Sequence, residues 1–469
     1  MERGCQSSVQ RSRFGKALRG TRVKQAYTLL RWPLLSIDSP FPQQCACGKM
    51  QRRHLYNLSG TCIAAQAPVI RLAKMMDVWA TKRLQGLLSL DDFETAARRY
   101  LPRPIFGYIA GAAETDWSLE DNRVAFAEFG FLPRVLVDVS KRSQQTTLFG
   151  RTYAAPFGIA PLGISALSAY RGDIVLATAA AAANIPMIMS GSSLIRLEDV
   201  ARQSKNAWFQ AYLPGDVPRI AALIDRVAQA GFETLVITVD SQVAGNRENN
   251  IRAGFSSPLR PSLRLAWDGI THPRWLVGTF LRTLLRHGMP HFENNYATRG
   301  PPIMSPNILR DYSDRGHLNW EHFQLIRRLW IGRLVIKGIL DKADARTARE
   351  AGADGIIVSN HGGRQLDGAV AALRVLPGIA AACPDIPIML DGGVRRGTDV
   401  LKALALGAKF VFVGRPFGYA AAIAGAAGVN HAIGLLAAEV HRDMAILGIT
   451  DLQDLDPRRL VRVRGHSLE

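Results

Sequence analysis

Short apolar runs recur along the chain from about residue 156, and each ends in Gly, Pro or polar residues. They are PFGIAP (156–161), PMIMS (186–190), AWFQAY (207–212), ETLVITVD (233–240), RLVIKG (333–338), GIIVSNH (355–361), IPIMLDGG (386–393) and FVFVGRP (410–416). Runs of this length bounded by such residues are typical of buried strands. The pattern therefore predicts eight strands.

Helix-sized segments, such as 173–184, 217–230, 341–351 and 396–406, separate most of these runs. Strands that alternate with helices form repeated βα units with a parallel sheet. Eight units predict an α/β fold, a closed (β/α)8 TIM barrel. A doubly wound open sheet is the alternative, but it normally carries G-x-G-x-x-G after the first strand, and PFGIAPLGIS lacks that pattern.

Regular patterning begins near Ser89, which with Asp92 forms a near capping box and predicts a helix start. We assign residues 76–469 to the barrel domain, with an insertion over 241–332 on its rim, because that connection is far longer than one βα unit needs. We expect residues 1–75 to be a disordered or leader-like basic extension. Met75 and Met76 are plausible alternative starts.

Charge is unevenly distributed along the chain. Residues 1–75 carry 13 Lys and Arg against 2 Asp and Glu, whereas the other 394 residues carry 45 against 37. The net charge of +19 raises the possibility of nucleic-acid binding. No zinc-finger, RNP or basic-zipper signature supports that function, so no nucleic-acid partner is expected.

Four of the five cysteines, Cys5, Cys45, Cys47 and Cys62, lie in the extension, and Cys383 lies in the barrel domain. A disulfide framework is therefore not expected, which favours a reducing, cytoplasmic location. Cys45 and Cys47 near His54 lack a second ligand pair at metal-site spacing, so we expect no metal site.

Polar groups or glycines follow each predicted strand. In a parallel barrel the carboxyl ends of all strands meet at one face, where active sites lie. DGGVRRG after the seventh strand and GRP after the eighth supply exposed N–H groups and guanidinium for a phosphate. Ser190, Gln210, Thr238 and Lys337 are placed to line the polar edge of a flat heterocycle, so we predict a mononucleotide site.

Three motifs carry a resemblance to a known family: SNHGGRQLD (359–367), DGGVRRGTD (391–399) and ALALGA (403–408). They resemble the FMN-dependent α-hydroxy acid oxidases and dehydrogenases, which include glycolate oxidase, L-lactate dehydrogenase and mandelate dehydrogenase. The resemblance covers about residues 88–455 and implies a (β/α)8 barrel with FMN as cofactor. THPRW (271–275) and RHGMP (286–290) are similar to the membrane-associated mandelate and lactate dehydrogenases.

The resemblance implies a role for each matching residue. The catalytic and substrate-binding matches are His361 as base, Asp240 as the carboxylate that stabilises its imidazolium, Tyr212 and Tyr108 facing the substrate, and Arg247 and Arg364 on its carboxylate. The FMN-binding matches are Pro161, Gly163, Ser190, Gln210, Thr238, Lys337, Ser359, Asp391, Gly393, Arg395, Gly414 and Arg415. Gly163 stands where many oxidases have Ala, and Ser192 where glycolate oxidase has Trp, which leaves room for a larger substrate side chain.

The implied activity is oxidation of an L-2-hydroxy acid, lactate-like or mandelate-like, to the 2-oxo acid, with electrons passed to a quinone or similar carrier. An oxidase of the same fold that releases hydrogen peroxide is the alternative, and a non-catalytic basic binding protein is a third. The resemblance also implies a homo-oligomer, a tetramer, on the cytoplasmic face of the inner membrane.

The insertion contains HPRWLVGTFLRTLLRHG (272–288). Its apolar residues at helical spacing are Leu276, Val277, Phe280, Leu281, Leu284 and Leu285, flanked by Arg274, Arg282 and Arg286. We predict one apolar face that lies in the membrane interface and leads a lipid-borne quinone to the rim. A helix packed on the barrel or in a subunit interface is the alternative. No stretch is expected to be long and apolar enough to span a bilayer.

Overall fold

The computed structural model describes residues 84–256, 260, 262–305 and 315–463. The basic extension 1–75, with its four cysteines, and the two candidate start methionines Met75 and Met76 lie outside the described residues. The expectations for that extension therefore stay predictions.

The predicted strands form one closed parallel barrel, so the predicted fold class is confirmed. The strands are β1 Phe129–Phe131, β2 Thr146–Leu148, β3 Arg151–Tyr153, β4 Phe157–Ile159, β5 Met187–Ser190, β6 Ala207–Ala211, β7 Thr234–Thr238, β8 Arg333–Ile339, β9 Gly355–Val358, β10 Ile388–Asp391, β11 Phe410–Val413 and β12 Leu460–Arg462. Strands β4 to β11 follow one another around the barrel, and β11 pairs with β4 to close it. The hairpin β2–β3 packs on the barrel interior, and β1 pairs with β12.

Helices follow the barrel strands and cover them. They are α1 Leu90–Tyr100, α2 Arg103–Ala110, α3 Trp117–Ala127, α4 Ser165–Ser168, α5 Gly172–Ala182, α6 Leu197–Gln203, α7 Val217–Gln229, α8 Glu248–Ala253, α9 Leu263–Ile270, α10 Pro273–Trp275, α11 Arg282–His287, α12 Trp320–Leu329, α13 Lys342–Glu350, α14 Ala372–Ala382, α15 Gly397–Ala405 and α16 Arg415–Leu447. Helix α1 begins with the predicted capping box between Ser89 and Asp92. A π-helix, Leu276–Leu281, joins α10 to α11.

The two-residue period of the strands builds the floor of the site. Side chains alternate between the faces of a strand, so every second residue points into the barrel. Ile188, Trp208, Val236, Val335, Ile357 and Met389 pack together in one interior cluster. Two residues later on each strand, or just past its end, come Ser190, Gln210, Thr238, Lys337, Ser359 and Asp391. The lower interior is therefore apolar, and the layer at the carboxyl ends is polar.

The segment 272–288 has apolar residues on two faces, so the prediction of one common apolar face is wrong. Trp275 is buried, donates from Nε1 to the carbonyl of Leu167 at 2.7 Å, and stacks on Phe280 with 5.6 Å between ring centroids. Val277 and Leu285, in contrast, are 62% and 86% exposed. Successive residues of a helix point in different directions, and both rows of apolar residues recur every four positions. The row with Leu276 and Phe280 packs against the barrel. The exposed row, Val277, Leu281 and Leu285, faces outward.

One helix of the described residues, α16, is long and apolar enough to cross a membrane by length and composition, with a mean hydropathy of 1.5 in its most apolar window. The expectation that no stretch would pass this test is therefore wrong. Helix α16 follows the last barrel strand and packs against α1 and α5. Its backbone is not helical at Ala424 and Gly425, so two helical segments meet at a kink. The long apolar run reflects a helix that is buried against its neighbours along much of its length.

Asp173 in the first turn of α5 is fully buried beside the cavity at the strand ends. It accepts a hydrogen bond from the hydroxyl of Ser165 at 2.6 Å. Burial raises the pKa of Asp173 to about 6, and hydrogen bonds from Ser165 and Ser193 oppose that shift only in part. Ser165 itself lines the cavity. A lone carboxyl group in an alanine-rich helix thus helps to hold the wall of the cavity.

The raised pKa of Asp173 predicts how stability changes with pH. Between pH 4 and pH 6 the folded chain holds this proton more tightly than the unfolded chain, so stability falls as pH rises through that window. The Asp173→Asn variant lacks this proton, and its unfolding free energy relative to the parent should rise by up to roughly 3 kcal/mol from pH 4 to pH 7. Urea unfolding at both pH values measures the change. Asn at exposed Asp225 is the control, and parallel profiles for parent and Asp173→Asn would contradict the expectation.

Candidate active site

A cavity opens at the carboxyl ends of the barrel strands, and most of the predicted site residues line it. They are Tyr108, Pro161, Gly163, Tyr212, Thr238, Arg247, Lys337, His361, Arg364, Asp391, Gly393, Arg395, Gly414 and Arg415. Ser190, Gln210, Asp240 and Ser359 lie directly behind this lining: Ser190 contacts Gln210, Asp240 contacts His361, and Ser359 contacts Lys337. The fold therefore brings the whole predicted set to one place.

His361, which lines the cavity, and Asp240 behind it form a part-buried pair, with side chains 17% and 14% exposed. Nδ1 of His361 lies 2.7 Å from Oδ1 of Asp240, and Nε2 lies 3.5 Å from the hydroxyl of Tyr212. A carboxylate on Nδ1 favours the tautomer that carries its proton there and leaves the lone pair of Nε2 for another partner. Nε2 is therefore the atom that can accept a proton.

The two groups of this pair shift each other's titration. Burial is the largest cause and lowers the pKa of His361; the charge and hydrogen bond of Asp240 oppose it, and the smaller effects of Lys337 and Arg247 act in the same direction as burial, so the pKa is lowered overall. Burial alone would raise the pKa of Asp240, but the charge and hydrogen bond of His361, with Lys337, bring it below its ordinary value. At neutral pH this predicts a neutral imidazole beside a carboxylate, the arrangement of a general base with its stabilising partner.

A left-handed turn presents His361 to the cavity. His361, Gly362 and Gly363 have φ of 58°, 66° and 76°. Residues with a side chain rarely adopt such angles, and functional sites are common places for them. The backbone N–H of His361 donates to Ser359, and that of Gly363 donates to Asn360. These contacts hold the strained turn in place.

Arg247 and Arg364 lie beside this pair and have no carboxylate partner among the described residues. Arg364 donates to the backbone carbonyls of Tyr108 and Gly111, and Arg247 donates to the side chain of Gln365 at 2.7 Å. Burial lowers the pKa of Arg364 to about 9, and the nearby charge of Arg247 adds to that effect. Arg364 therefore remains cationic at neutral pH, and the site favours an anionic ligand.

A second pair of arginines lies where the last two strands end. Arg415 is part-buried, and its acceptors among the described residues are the backbone carbonyls of Ile109, Gly111 and Gly362. Arg395 is 7% exposed and contacts Asp91 at 3.4 Å. Burial is the main cause that lowers the pKa of both residues. Arg415 shares two acceptors with Arg364, so the two arginine pairs form one cationic wall.

Lys337 connects β8 to the ends of the next two strands, β9 and β10, at the polar floor of the cavity. It is 4% exposed, its Nζ donates to Ser359 at 2.7 Å, and it pairs with Asp391 at 3.0 Å. Polar atoms that have no hydrogen-bond partner within the described residues include Nε2 of Gln210, Oγ1 of Thr238 and Oδ1 of Asp391. Buried polar atoms normally have partners, so these three indicate that a polar ligand completes the floor.

Several residues that support the site were missed from the sequence. Gln365 accepts a hydrogen bond from Arg247 and donates one to the carbonyl of Asp240, so it links an arginine of the cationic wall to the partner of His361. Asn122 donates to Asn360 at 2.8 Å and thereby supports the histidine turn from α3. Gln365 lies inside the SNHGGRQLD motif and was therefore available as a signal. Asn122 lies in a helix far away in sequence, and no local pattern marks it.

Comparison with known proteins identifies the family to which the sequence is similar. Residues 97–462 match the model of the FMN-dependent dehydrogenase family. The chain is 36% identical to (S)-mandelate dehydrogenase of Pseudomonas putida over 80% of this chain and 93% of that protein. It is 39% identical to L-lactate dehydrogenase of Pseudomonas entomophila (strain L48) over 80% of this chain and 98% of that protein.

Solved structures give the same result for the fold. The crystal structure of the monotopic membrane protein (S)-mandelate dehydrogenase matches with a TM-score of 0.73 and 34% identity, over 80% of this chain and all of that chain. A mandelate oxidase solved with (S)-2-phenylpropionate matches with a TM-score of 0.66 and 35% identity, over 81% of this chain and 99% of that chain. Both a dehydrogenase and an oxidase thus share this barrel.

The residues of the cavity fit FMN. A phosphate needs N–H donors and cations, and Gly393, Arg395, Gly414 and Arg415 supply both at the strand ends where barrels commonly bind phosphate. A flavin ring has a polar edge of donors and acceptors. The unsatisfied atoms of Gln210, Thr238 and Asp391 can pair with such an edge.

Close backbone packing at Gly393 predicts that a methyl group there blocks FMN binding. A Cβ on Gly393 would lie 2.0 Å from the backbone oxygen of Asn122, so the DGG loop or α3 has to move. Gly393→Ala should therefore lower the FMN content of the purified protein at least roughly tenfold.

Gly150→Ala is the matched control for this prediction. Gly150 has a φ of +78°, close to the +80° of Gly393, but a Cβ there would meet nothing within 4 Å. Both variants carry the same backbone strain, and only one carries the clash. Flavin absorbance per chain is measured together with the melting temperature, and equal FMN content in the two variants would refute the assignment.

Proposed function

The chain belongs to the family of FMN-dependent dehydrogenases, and we propose that it oxidises an L-2-hydroxy acid to the 2-oxo acid. One observation carries the proposal: Arg247 and Arg364, without carboxylate partners in the described residues, line the same cavity as His361, whose Nδ1 is paired with Asp240. A 2-hydroxy acid presents a carboxylate and an adjacent alcohol, which are the two groups that this arrangement can hold. The relatives named above, a mandelate and a lactate dehydrogenase, support that substrate class.

The substrate carboxylate would bind to Arg247 and Arg364. Charge-assisted hydrogen bonds to guanidinium groups are strong and directional, so they both hold and orient the acid. The hydroxyls of Tyr108 and Tyr212 lie at the same cavity and would bind the substrate oxygens. Substrate binding would also supply an anion for the two part-buried cations.

His361 would remove one proton from the alcohol centre through Nε2. Asp240 would stabilise the imidazolium that forms, because opposite charge at 2.7 Å favours the protonated ring. Bound FMN would supply the acceptor for the two electrons that leave the substrate, and the second hydrogen would leave with them or to solvent. Lys337 would place a positive charge at the floor of the cavity, where it favours negative charge on a bound ring.

The substrate side chain would occupy the space beside Gly163 and Ser192. A Cβ on Gly163 would lie 3.2 Å from the hydroxyl of Tyr108 and 3.4 Å from Cβ of Ser192, so these two small residues leave that space open. Lactate-like and mandelate-like acids are therefore the substrates to test first. The phenyl group of a mandelate-like acid is the larger side chain. It needs the space that Ala in place of Gly163 and Trp in place of Ser192 would fill.

The electron acceptor would be a quinone or a similar carrier. The alternative is an oxidase that reacts with O2, and a mandelate oxidase is among the similar structures. The outward face of the rim insertion favours the quinone. The homo-oligomer and the cytoplasmic location stay predictions.

The exposed row of the insertion supports a membrane surface as partner. Val277 and Leu285 lie beside Arg274, Arg282 and Arg286, and the cationic residues are exposed as well. Trp267 on α9, 66% exposed, adds a large aromatic group to the same insertion. Exposed apolar side chains bordered by cations suit the interface of an anionic bilayer. The similar (S)-mandelate dehydrogenase structure is that of a monotopic membrane protein.

The proposed reaction predicts that His361→Gln keeps FMN but loses reduction by the acid. General-base loss commonly slows the step by roughly 10²-fold to 10⁴-fold. Anaerobic L-lactate or L-mandelate should bleach the flavin of the parent protein. Stopped-flow absorbance at about 450 nm, near the maximum of oxidised flavin, measures the rate. Because the pKa of His361 is lowered, the acid limb of the parent's profile should lie below the ordinary value of 6.5.

Two results would count against this reaction. Near-normal bleaching by His361→Gln would remove that residue from the chemistry. An absence of bleaching by every acid of a 2-hydroxy acid panel would remove the substrate class. Rapid return of the flavin colour in air would indicate O2 as the electron acceptor instead of a quinone. The site assignments would be unchanged.

The exposed row predicts membrane binding that polar substitution abolishes. The triple variant Val277→Gln, Leu281→Gln, Leu285→Gln should fail to sediment with anionic phosphatidylglycerol vesicles at low salt, while flavin reduction by the acid stays within roughly twofold. Gln at exposed Leu136, Ile331 and Ile446 is the matched control, with the same chemistry outside the insertion. Failure of the parent protein to sediment, or equal loss in both variants, would refute the membrane assignment.

A further inference from the structure

Tyr419 is a buried residue for which the proposed chemistry has no role. It lies one helical turn after Arg415, near the start of α16, and is 1% exposed. Its hydroxyl has no hydrogen-bond partner within the residues that the structure describes. Buried hydroxyls without partners are unfavourable and rare, so the position indicates a ligand atom.

The helix directs Tyr419 toward the end of the barrel where the cofactor phosphate is expected. Residues four apart share a helix face, so Tyr419 lies on the same face as Arg415. Long side chains of a helix lean toward its N-terminus, and the first turn of α16 follows directly after Gly414. The ring of Phe106 stacks on that of Tyr419 with 5.8 Å between centroids and fixes its orientation.

The charged neighbours of Tyr419 leave its proton without an acceptor. Arg395 and Arg415 act electrostatically on it, but guanidinium groups only donate hydrogen bonds. Glu94 also acts on it electrostatically, yet forms no hydrogen bond with the hydroxyl. Burial raises the pKa of Tyr419 to about 12, so at neutral pH the group is an O–H donor. An anionic oxygen bound near these two cations would give the hydroxyl the acceptor that it lacks.

We propose that the hydroxyl of Tyr419 donates a hydrogen bond to the phosphate of FMN and so selects FMN over riboflavin. The inference rests on the proposed placement of the phosphate at Gly393, Arg395, Gly414 and Arg415. It adds a neutral donor to a site that otherwise relies on backbone N–H groups and guanidinium. A phosphate with its second charge would gain most from such a donor, because charge-assisted hydrogen bonds are the stronger ones.

The test compares two flavins on the full-length chain after its flavin has been removed. FMN and riboflavin are titrated separately into the parent and into Tyr419→Phe, and quenching of flavin fluorescence gives each Kd. Tyr419→Phe should bind FMN roughly 10-fold to 100-fold more weakly, as loss of a hydrogen bond to a charged group implies. Its affinity for riboflavin should stay within roughly twofold of the parent.

Tyr153→Phe is the matched control. Tyr153 is also buried, at 2% exposure, but it belongs to the β2–β3 hairpin that packs on the barrel interior. It should leave both affinities unchanged. Unchanged FMN binding by Tyr419→Phe would overturn the inference, and so would equal weakening of FMN and riboflavin, which indicates a structural role. Equal affinity of the parent for the two flavins would instead overturn the phosphate placement itself.

Thermal unfolding gives a second measurement that does not depend on activity. Without flavin, Tyr419→Phe should melt at the same or a higher temperature, because it removes a buried hydroxyl that has no partner. With the same excess of FMN, the gain in melting temperature should be smaller than in the parent, because stabilisation by a ligand grows with the logarithm of its concentration divided by Kd. A lower melting temperature without flavin, together with an unchanged gain on FMN addition, would contradict the proposal.

Discussion

Three guanidinium groups at one end of the barrel, those of Arg247, Arg364 and Arg415, share a cavity without a carboxylate partner in the described residues. Removing cations from water is unfavourable, and carbonyl acceptors compensate for it only in part. Anions that bind beside these cations would therefore be stabilising. Binding of a phosphate and of an acid substrate would each stabilise the fold, so cofactor binding, substrate binding and stability depend on one electrostatic constraint.

The barrel can hold this charge because its interior has two layers. Alternation along the strands gives an apolar lower layer with Val335 and Met389, and an upper layer with Lys337 and Asp391 two positions later. The lower layer supplies packing that does not depend on the ligand. The upper layer is then free to carry polar atoms whose partners arrive with the ligand. Helix α3 and the histidine turn add the rigid support that the strained backbone at His361 requires.

Much of this was predictable because strand ends in a parallel barrel converge, so a list of residues after each apolar run is also a list of neighbours. The predictions that failed concerned residues whose surroundings are set by contacts with distant segments, which no local sequence pattern encodes. Leu276 and Val277 are adjacent in sequence, yet one packs on the barrel and the other faces outward, because Trp275 is bonded to Leu167. Burial by distant segments raises the pKa of Asp173 and of Tyr419. Helix α16 is long and apolar enough for a membrane span by composition, although it packs against α1 and α5.

The insertion and the cavity share one wall, which bears on where the electrons go. Trp275 donates to the carbonyl of Leu167, and Leu167 lines the cavity, so the segment that carries the exposed apolar row is fastened to the wall of the site. An enzyme that passes electrons to O2 gains nothing from an apolar, cationic surface at this place, because O2 diffuses to the site from water. A lipid-borne acceptor needs such a surface close to the flavin. The contact between Trp275 and Leu167 therefore favours a membrane acceptor more strongly than the apolar pattern of the segment does by itself.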